Sequence, residues 1–359
     1  MVLTSVAHAA RLGCLVAGAL IVGAPLAAQT EIPAQEGQPW RSPVSEFVAP
    51  PVIEGHVRTD VTRFDEDGYN VAANYNAADG AGRISVYVYR AGVPDLPIWA
   101  DRASTGMLSN ARLDYDLDRT VIRTFTPGDG AGVYSGWLLT VPVGVPDYTS
   151  SGLAIFGYDG WLVKLRITST TLDANQLADQ MERVAQGLQV ARATTAGAPF
   201  ATIEDCADPL KFGKEAKLVR LDMVGSILLG AVLSAAQEKK EEQSSAAREP
   251  AVWCRHPSST AQYGIYQSDR IDKGYLVALG DSGTSATVAE IRADELLKPS
   301  RMFIVRVSDG VTEEVAQPFA RMPTPGQTVG AALRAPRVFS ADVRPGGDGE
   351  RVISVPGGE

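Results

Sequence analysis

Residues 161–168 constrain the fold most, because Trp161, Val163, Leu165 and Ile167 alternate with Leu162, Lys164, Arg166 and Thr168. A period of two puts the first set on one face of an extended strand, as in a sheet buried on that side. Asp159-Gly160 just before it is a two-residue hairpin signal, so a partner strand must precede.

The same pattern recurs upstream. Strands are expected at 69–75 and 83–89, either side of the turn dipeptide Asp79-Gly80, and again at 121–125 and 134–143. Residues 97–110 read as a helix, with Pro97 in the first turn and Trp99, Ala103 and Met107 four apart on one face. A second helix opens at Asp173 as N-cap, with Gln176 three residues on, and carries Leu177, Met181, Val184 and Leu188 along one stripe. Strands followed by covering helices give an α+β arrangement for residues 56–195, a mostly antiparallel sheet covered by helices.

The run Arg83 to Arg90, the aromatic helix start at Trp99, and the closing strand 160–168 with its amphipathic helix resemble the PsbP-like and Mog-type α/β/α sandwich over residues 60–195. Members of that family are mostly binding or assembly factors, so the resemblance implies a non-enzymatic role. It carries no functional residue onto this sequence.

A Thr/Ala/Gly-rich hinge at 193–199 separates a second region, 200–340. A long helix is expected at 214–243, charged at its ends. Its apolar middle, 223–236, spans about 21 Å, too short for a hydrocarbon core of about 30 Å. Strands follow at 263–267, 275–279 and 287–291, then a hairpin over 302–319 turning at Asp309-Gly310. The expected fold is therefore two α+β domains, the second a long helix plus a small β-rich unit. Pro33, Pro39, Pro43, Pro50 and Pro51 make 29–55 read as a flexible linker, and the Gly- and Pro-rich stretch 345–359 as a disordered tail.

Arg11, the apolar run 12–26 and Ala27-Ala28 form a secretory signal peptide over 1–28, cleaved after Ala28. Cys14 precedes most of the apolar run, the wrong side for a lipid anchor. Cleavage removes one Arg and no acid, leaving 32 basic and 42 acidic residues. That balance disfavours nucleic acid and anionic membrane surfaces as partners. In an oxidising compartment Cys206 and Cys254 read as one disulfide bracketing the long helix. Zinc is disfavoured: His256 lies two residues after Cys254, but only His56 remains as a further histidine and no CxxC pair exists.

Two constellations could carry chemistry. Gly280-Asp281-Ser282-Gly283 matches the residues around a serine-protease nucleophile, making Ser282 a candidate catalytic residue, although Thr284 stands where a further glycine belongs. Tight-turn geometry explains the same four residues. Asp114, Asp116 and Asp118 alternate with Leu113, Tyr115 and Leu117, so on a strand three carboxylates would share a face and could meet calcium. Arg119 and Phe125 at the sixth and twelfth positions exclude an EF-hand, and a solvated strand face gives the same pattern. No phosphate loop, HExxH or dinucleotide fingerprint occurs, and no cofactor is implied. The expectation is an exported, periplasmic or secreted bacterial protein with a non-enzymatic binding or envelope-assembly role, its partner an envelope protein or a small ligand, with a secreted serine hydrolase using Ser282 and a calcium-binding structural module using Asp114, Asp116 and Asp118 as alternatives.

Overall fold

Short strands begin almost at once after position 29. β1 (Thr30–Ile32), β2 (Trp40–Arg41), β3 (Val48–Ala49) and β4 (Val52–Ile53) precede β5 (His56–Arg63). Both β1 and β4 pair antiparallel with β5, while β2 pairs with β3. Phe47 and Ala49 are fully buried, and Ile53 joins the same core. The flexible linker expected over 29–55 is thus corrected to an ordered part of the first unit. Its prolines all fall between strands, and strands of two or three residues leave no periodicity to read.

The computed structural model describes residues 29–110, 112–128, 135–158, 160–188, 199–242, 251–292, 301–344 and 353–354. The expected signal peptide, the hinge at 193–198 and nearly all of the tail at 345–359 lie outside these residues.

From β5 the chain continues through β6 (Asn70–Ala77), β7 (Gly82–Arg90), helix α1 (Leu96–Leu108), β8 (Val121–Phe125), β9 (Gly136–Pro142), β10 (Ser150–Tyr158), β11 (Trp161–Ser169) and α2 (Ala174–Gly187). The first sheet runs β1-β5-β6-β7-β11-β10-β9-β8. Trp161 faces Arg90 across the central β7–β11 ladder and Ser169 faces Gly82. Val86, Val88, Val163 and Leu165 share one face with Leu177, Met181 and Val184 of α2. The capping box at Asp173 and Gln176 that starts α2 is present, both side chains bonding the opposite backbone N–H.

The other face of this sheet is also covered. Tyr89, Leu162, Leu153 and Ile155 pack on Ile98, Trp99, Ala103 and Met107 of α1. Burying side chains of this size contributes roughly 1.5–3 kcal/mol each, which fixes α1 on that face. The alternation at 161–168 therefore separates two buried faces, where a single one was expected.

The second half holds β12 (Glu204–Asp205), α3 (Met223–Glu242), β13 (Trp253–Arg255), β14 (Tyr263–Ser268), β15 (Tyr275–Leu279), β16 (Ser285–Arg292), β17 (Arg301–Ser308), β18 (Thr312–Ala316), α4 (Pro325–Arg334), β19 (Arg337–Asp342) and β20 (Ile353–Ser354). Its nine strands lie in sequence order, antiparallel except for β12 beside β13. A disulfide joins Cys206 to Cys254 at that parallel pair, with their Cα atoms 4.8 Å apart. Leu229 and Leu233 of α3 pack on Met302, Ile304 and Phe339, while Ala331 and Ala332 of α4 pack on the opposite face with Val277 and Val305. The helix expected from 214 begins at Met223 because Asp222 accepts the Gly225 N–H at 2.8 Å and caps it there. Among the described residues no helix is long and apolar enough to cross a membrane.

The α+β expectation is corrected to a mostly β fold: among the described residues strands hold 41% and helices 19%, and two nine-stranded sheets dominate. The long helix covers one end of the second sheet and does not define a domain. Nor do the two halves keep separate cores. Tyr266, Leu276 and Ala278 of the second sheet belong to the cluster around α1, so this helix lies between the sheets.

Candidate functional site

The interface around α1 is polar as well as apolar. Asp101 of α1 accepts from Arg255 and from the Tyr266 hydroxyl, each at 2.6 Å, and Asp95 accepts the Trp253 indole N–H at 3.2 Å. Arg102, 1% exposed, donates to the carbonyls of Gly280, Thr260 and Ala261 at 3.1, 3.0 and 2.7 Å. A planar guanidinium with several fixed donors suits three converging carbonyls; a lysine would not span them.

These contacts hold the β15–β16 hairpin, whose tip is Gly280-Asp281-Ser282-Gly283, against the first sheet. Gly280 and Gly283 have φ of +60° and +97°, values that side-chain-bearing residues adopt at a cost. A Cβ on Gly283 would come within 2.3 Å of the Arg90 carbonyl oxygen. The Gly92 N–H donates to the Gly283 carbonyl at 2.9 Å, closing the contact.

Lys164 meets this tip from the middle of β11. Its Nζ donates to the Asp281 backbone oxygen at 3.0 Å and to Oδ2 at 2.8 Å, and lies 4.7 Å from the centre of the Tyr87 ring. Burial pulls the Lys164 ammonium below its ordinary value, with Asp281 opposing. For Asp281 burial alone would raise the carboxyl, but the charge and hydrogen bond of Lys164 outweigh it and hold the group low.

Beside the pair lies a cavity of about 440 Å³ between the first sheet and the tips of two hairpins from the second. Phe64, Tyr69, Tyr87 and Tyr89 provide its aromatic lining, and Asp281, Ser282, Thr284, Asp309 and Val311 reach it from the other side. Phe64 and Tyr87 lie 6.3 Å apart with ring planes inclined by 33°, and Tyr69 stacks on Trp161 at 5.8 Å. The fully buried Tyr89 hydroxyl has no hydrogen-bond partner, and burial, with Asp281 nearby, keeps it a phenol far into the alkaline range. Burial likewise raises the Asp65 carboxyl, against the Gly68 N–H it accepts at 2.7 Å.

Ser282 is exposed and lines this cavity, and neither histidine is brought to it. His256 donates from Nε2 to the Leu210 carbonyl and accepts the Ser258 N–H at Nδ1, both at 3.0 Å. His56, on β5 and bonded through Nδ1 to the Glu54 carbonyl, lines a different cavity of about 370 Å³ with Ser169 and Gln180. Here the four-residue match serves as a docking turn.

Asp114, Asp116 and Asp118 do not lie on a strand. Asp116 precedes a 3-10 turn at Leu117–Arg119 and pairs with Arg119 at 2.6 Å, and Asp118 sits inside that turn. Among the described residues no three His, Cys, Asp or Glu side chains form a metal cluster.

Sequence reasoning missed Lys164, Arg102 and the tyrosine wall. A signal existed: Leu162 interrupts the polar set of β11, and Tyr87 and Tyr89 occupy the supposed outer face of β7 beside an apolar inner one. Strands apolar on both faces belong to sheets covered on both sides. No protein-family model, curated protein or solved structure matches this chain.

Proposed function

We propose that the chain is exported to an oxidising compartment, the periplasm or the exterior, and acts there as a non-enzymatic binding protein whose small-molecule site is the cavity between the sheets. The observation that carries this reading is the cavity's construction. Its walls come from both sheets, locked by the Lys164–Asp281 pair and the Arg102 clamp, so it is preformed. A volume of about 440 Å³ is within the range of small-ligand sites, and aromatic faces with a few placed polar groups are their usual lining.

The disulfide and the signal-peptide pattern of 1–28 support the compartment. The resemblance of 60–195 to PsbP-like and Mog-type proteins, mostly binding or assembly factors, supports the role. Ser282 without a histidine base lacks what a serine nucleophile needs, so a fluorophosphonate probe should leave the protein unlabelled.

The direct test is a thermal-shift screen of neutral, anionic and cationic small molecules against the wild type and Thr284→Trp, which fills the cavity. At least one compound should raise the wild-type melting temperature and leave the variant unmoved, as ligand linkage requires. If every compound acts on both proteins alike, the cavity is not a binding site.

A further inference from the structure

We infer that the cavity between the sheets takes a neutral, polyhydroxylated ring, a carbohydrate of mono- to disaccharide size. This rests on the binding reading above and names its ligand class.

Charge comes first. Lys164 at the cavity is matched by Asp281 at 2.8 Å. Asp65 accepts the Gly68 N–H of its own turn at 2.7 Å, and Asp309 accepts those of Val311 and Thr312 at 2.9 and 2.7 Å. The Arg90 guanidinium lies 5.4 Å from the centre of the Trp161 ring. The two cations of the lining are thus engaged within the protein, while the Asp65 and Asp309 carboxylates keep their negative charge. An anionic ligand would lose its hydration without gaining an uncommitted counter-charge and would face these carboxylates, which is costly in a partly buried site.

Neutral hydroxyls avoid that cost. Each can donate and accept, and the lining offers both kinds of partner in the Asn70 amide and the Ser282 and Thr284 hydroxyls. The Tyr89 hydroxyl is not among these partners. It is fully buried and unpartnered, so this depth of the wall is closed to solvent and the ring alone is offered to the cavity.

Shape completes the argument. Phe64 and Tyr87 are each partly exposed at the cavity and form a shallow aromatic surface. The C–H face of a sugar ring is apolar and flat while its rim carries hydroxyls, so it packs on such a surface with its polar groups directed at the walls.

Isothermal titration of the purified protein with N-acetylglucosamine, N,N′-diacetylchitobiose and cellobiose tests this, with benzoate and benzylammonium as charged ring probes. At least one sugar should bind, with affinity lowered about tenfold or more by Phe64→Ala. If a charged ring binds in a Phe64-dependent manner and no sugar does, the ligand class is wrong and the binding reading stands. If neither sugars nor charged rings bind, the carbohydrate assignment fails, and the thermal-shift screen decides the wider reading separately.

Discussion

The Lys164 ammonium lies 2.8 Å from Asp281 Oδ2, although 117 residues separate them in the chain. The pair joins the middle of one sheet to a hairpin tip of the other, and its members are unequally buried, at 7% and 38% exposure. Asp281→Ala strands a buried cation and should cost about 2–3 kcal/mol, somewhat below the figure for a fully buried pair because one side is wet. Lys164→Met leaves a carboxylate that water can reach and should cost under about 1 kcal/mol. The double variant Lys164→Met/Asp281→Leu should return close to wild type. Urea midpoints measure all three, and equal losses from the two single variants would contradict the asymmetry.

Acid should weaken the same contact. The folded carboxyl of Asp281 is held below its ordinary value, which is about 3.9 in an unfolded chain. Its contribution is fully present above that unfolded value and disappears as the pH falls through the lower folded one. The stability gap between wild type and Asp281→Asn should therefore be constant from about pH 8 to 5 and shrink below about pH 4. A gap that widened on acidification would reverse the sign assigned here.

Arg102→Met removes three donors at once and leaves the Gly280, Thr260 and Ala261 carbonyls without them. With about 1–3 kcal/mol for each unsatisfied buried group, a loss of about 3 kcal/mol or more is expected. Because the loss falls on the contact between the sheets, calorimetry should show the single unfolding transition broaden or split. Arg102→Lys should behave much like Arg102→Met, since one ammonium cannot reach all three oxygens.

Two glycines of one turn should respond differently to alanine. Gly280 has open space where a Cβ would go, so Gly280→Ala should cost only the left-handed backbone penalty of about 1–2 kcal/mol. Gly283→Ala adds a clash with the Arg90 backbone at 2.3 Å and should cost several kcal/mol, or shift the hairpin and abolish ligand binding. Thermal denaturation of the two variants side by side gives the comparison.

Reducing the Cys206–Cys254 bridge, which closes a sequence separation of 48 residues, should lower stability by about 4 kcal/mol in the chain-entropy account. The double variant Cys206→Ala/Cys254→Ala should match the reduced wild type in urea unfolding, and wild-type stability that ignores reductant would exclude the bridge.

Long strands and capped helices were legible in the sequence because their signals are local. β8 and β15 fall at the expected residues, 121–125 and 275–279, and the Asp173–Gln176 capping box is where its spacing placed it. Elements that take their order from distant partners were not legible. β2 and β3 are two residues each and owe their place to Phe47 in the core and to Trp40 packed against it. The site failed for the same reason. Lys164 looks like any charged residue on an outer strand face until Asp281 is known to stand opposite, and nothing near residue 164 announces a partner 117 positions away. Ser282 was found by its motif, but its glycines serve contact with Arg90 and Gly92, and the motif alone does not distinguish a catalytic turn from a docking one.

Helix α1 gives both sheets the same set of side chains, and that has a consequence for how the protein comes into being. If the chain enters its compartment N-terminus first, residues 29–188 arrive before the second sheet exists, so Ile98, Trp99 and Met107 emerge with a wall on one side only. For that interval the emerging chain carries a sticky apolar surface that later becomes interior, a state prone to aggregation unless something holds it. Cutting the gene after residue 188 would not release a free-standing domain. It would make that transient surface permanent.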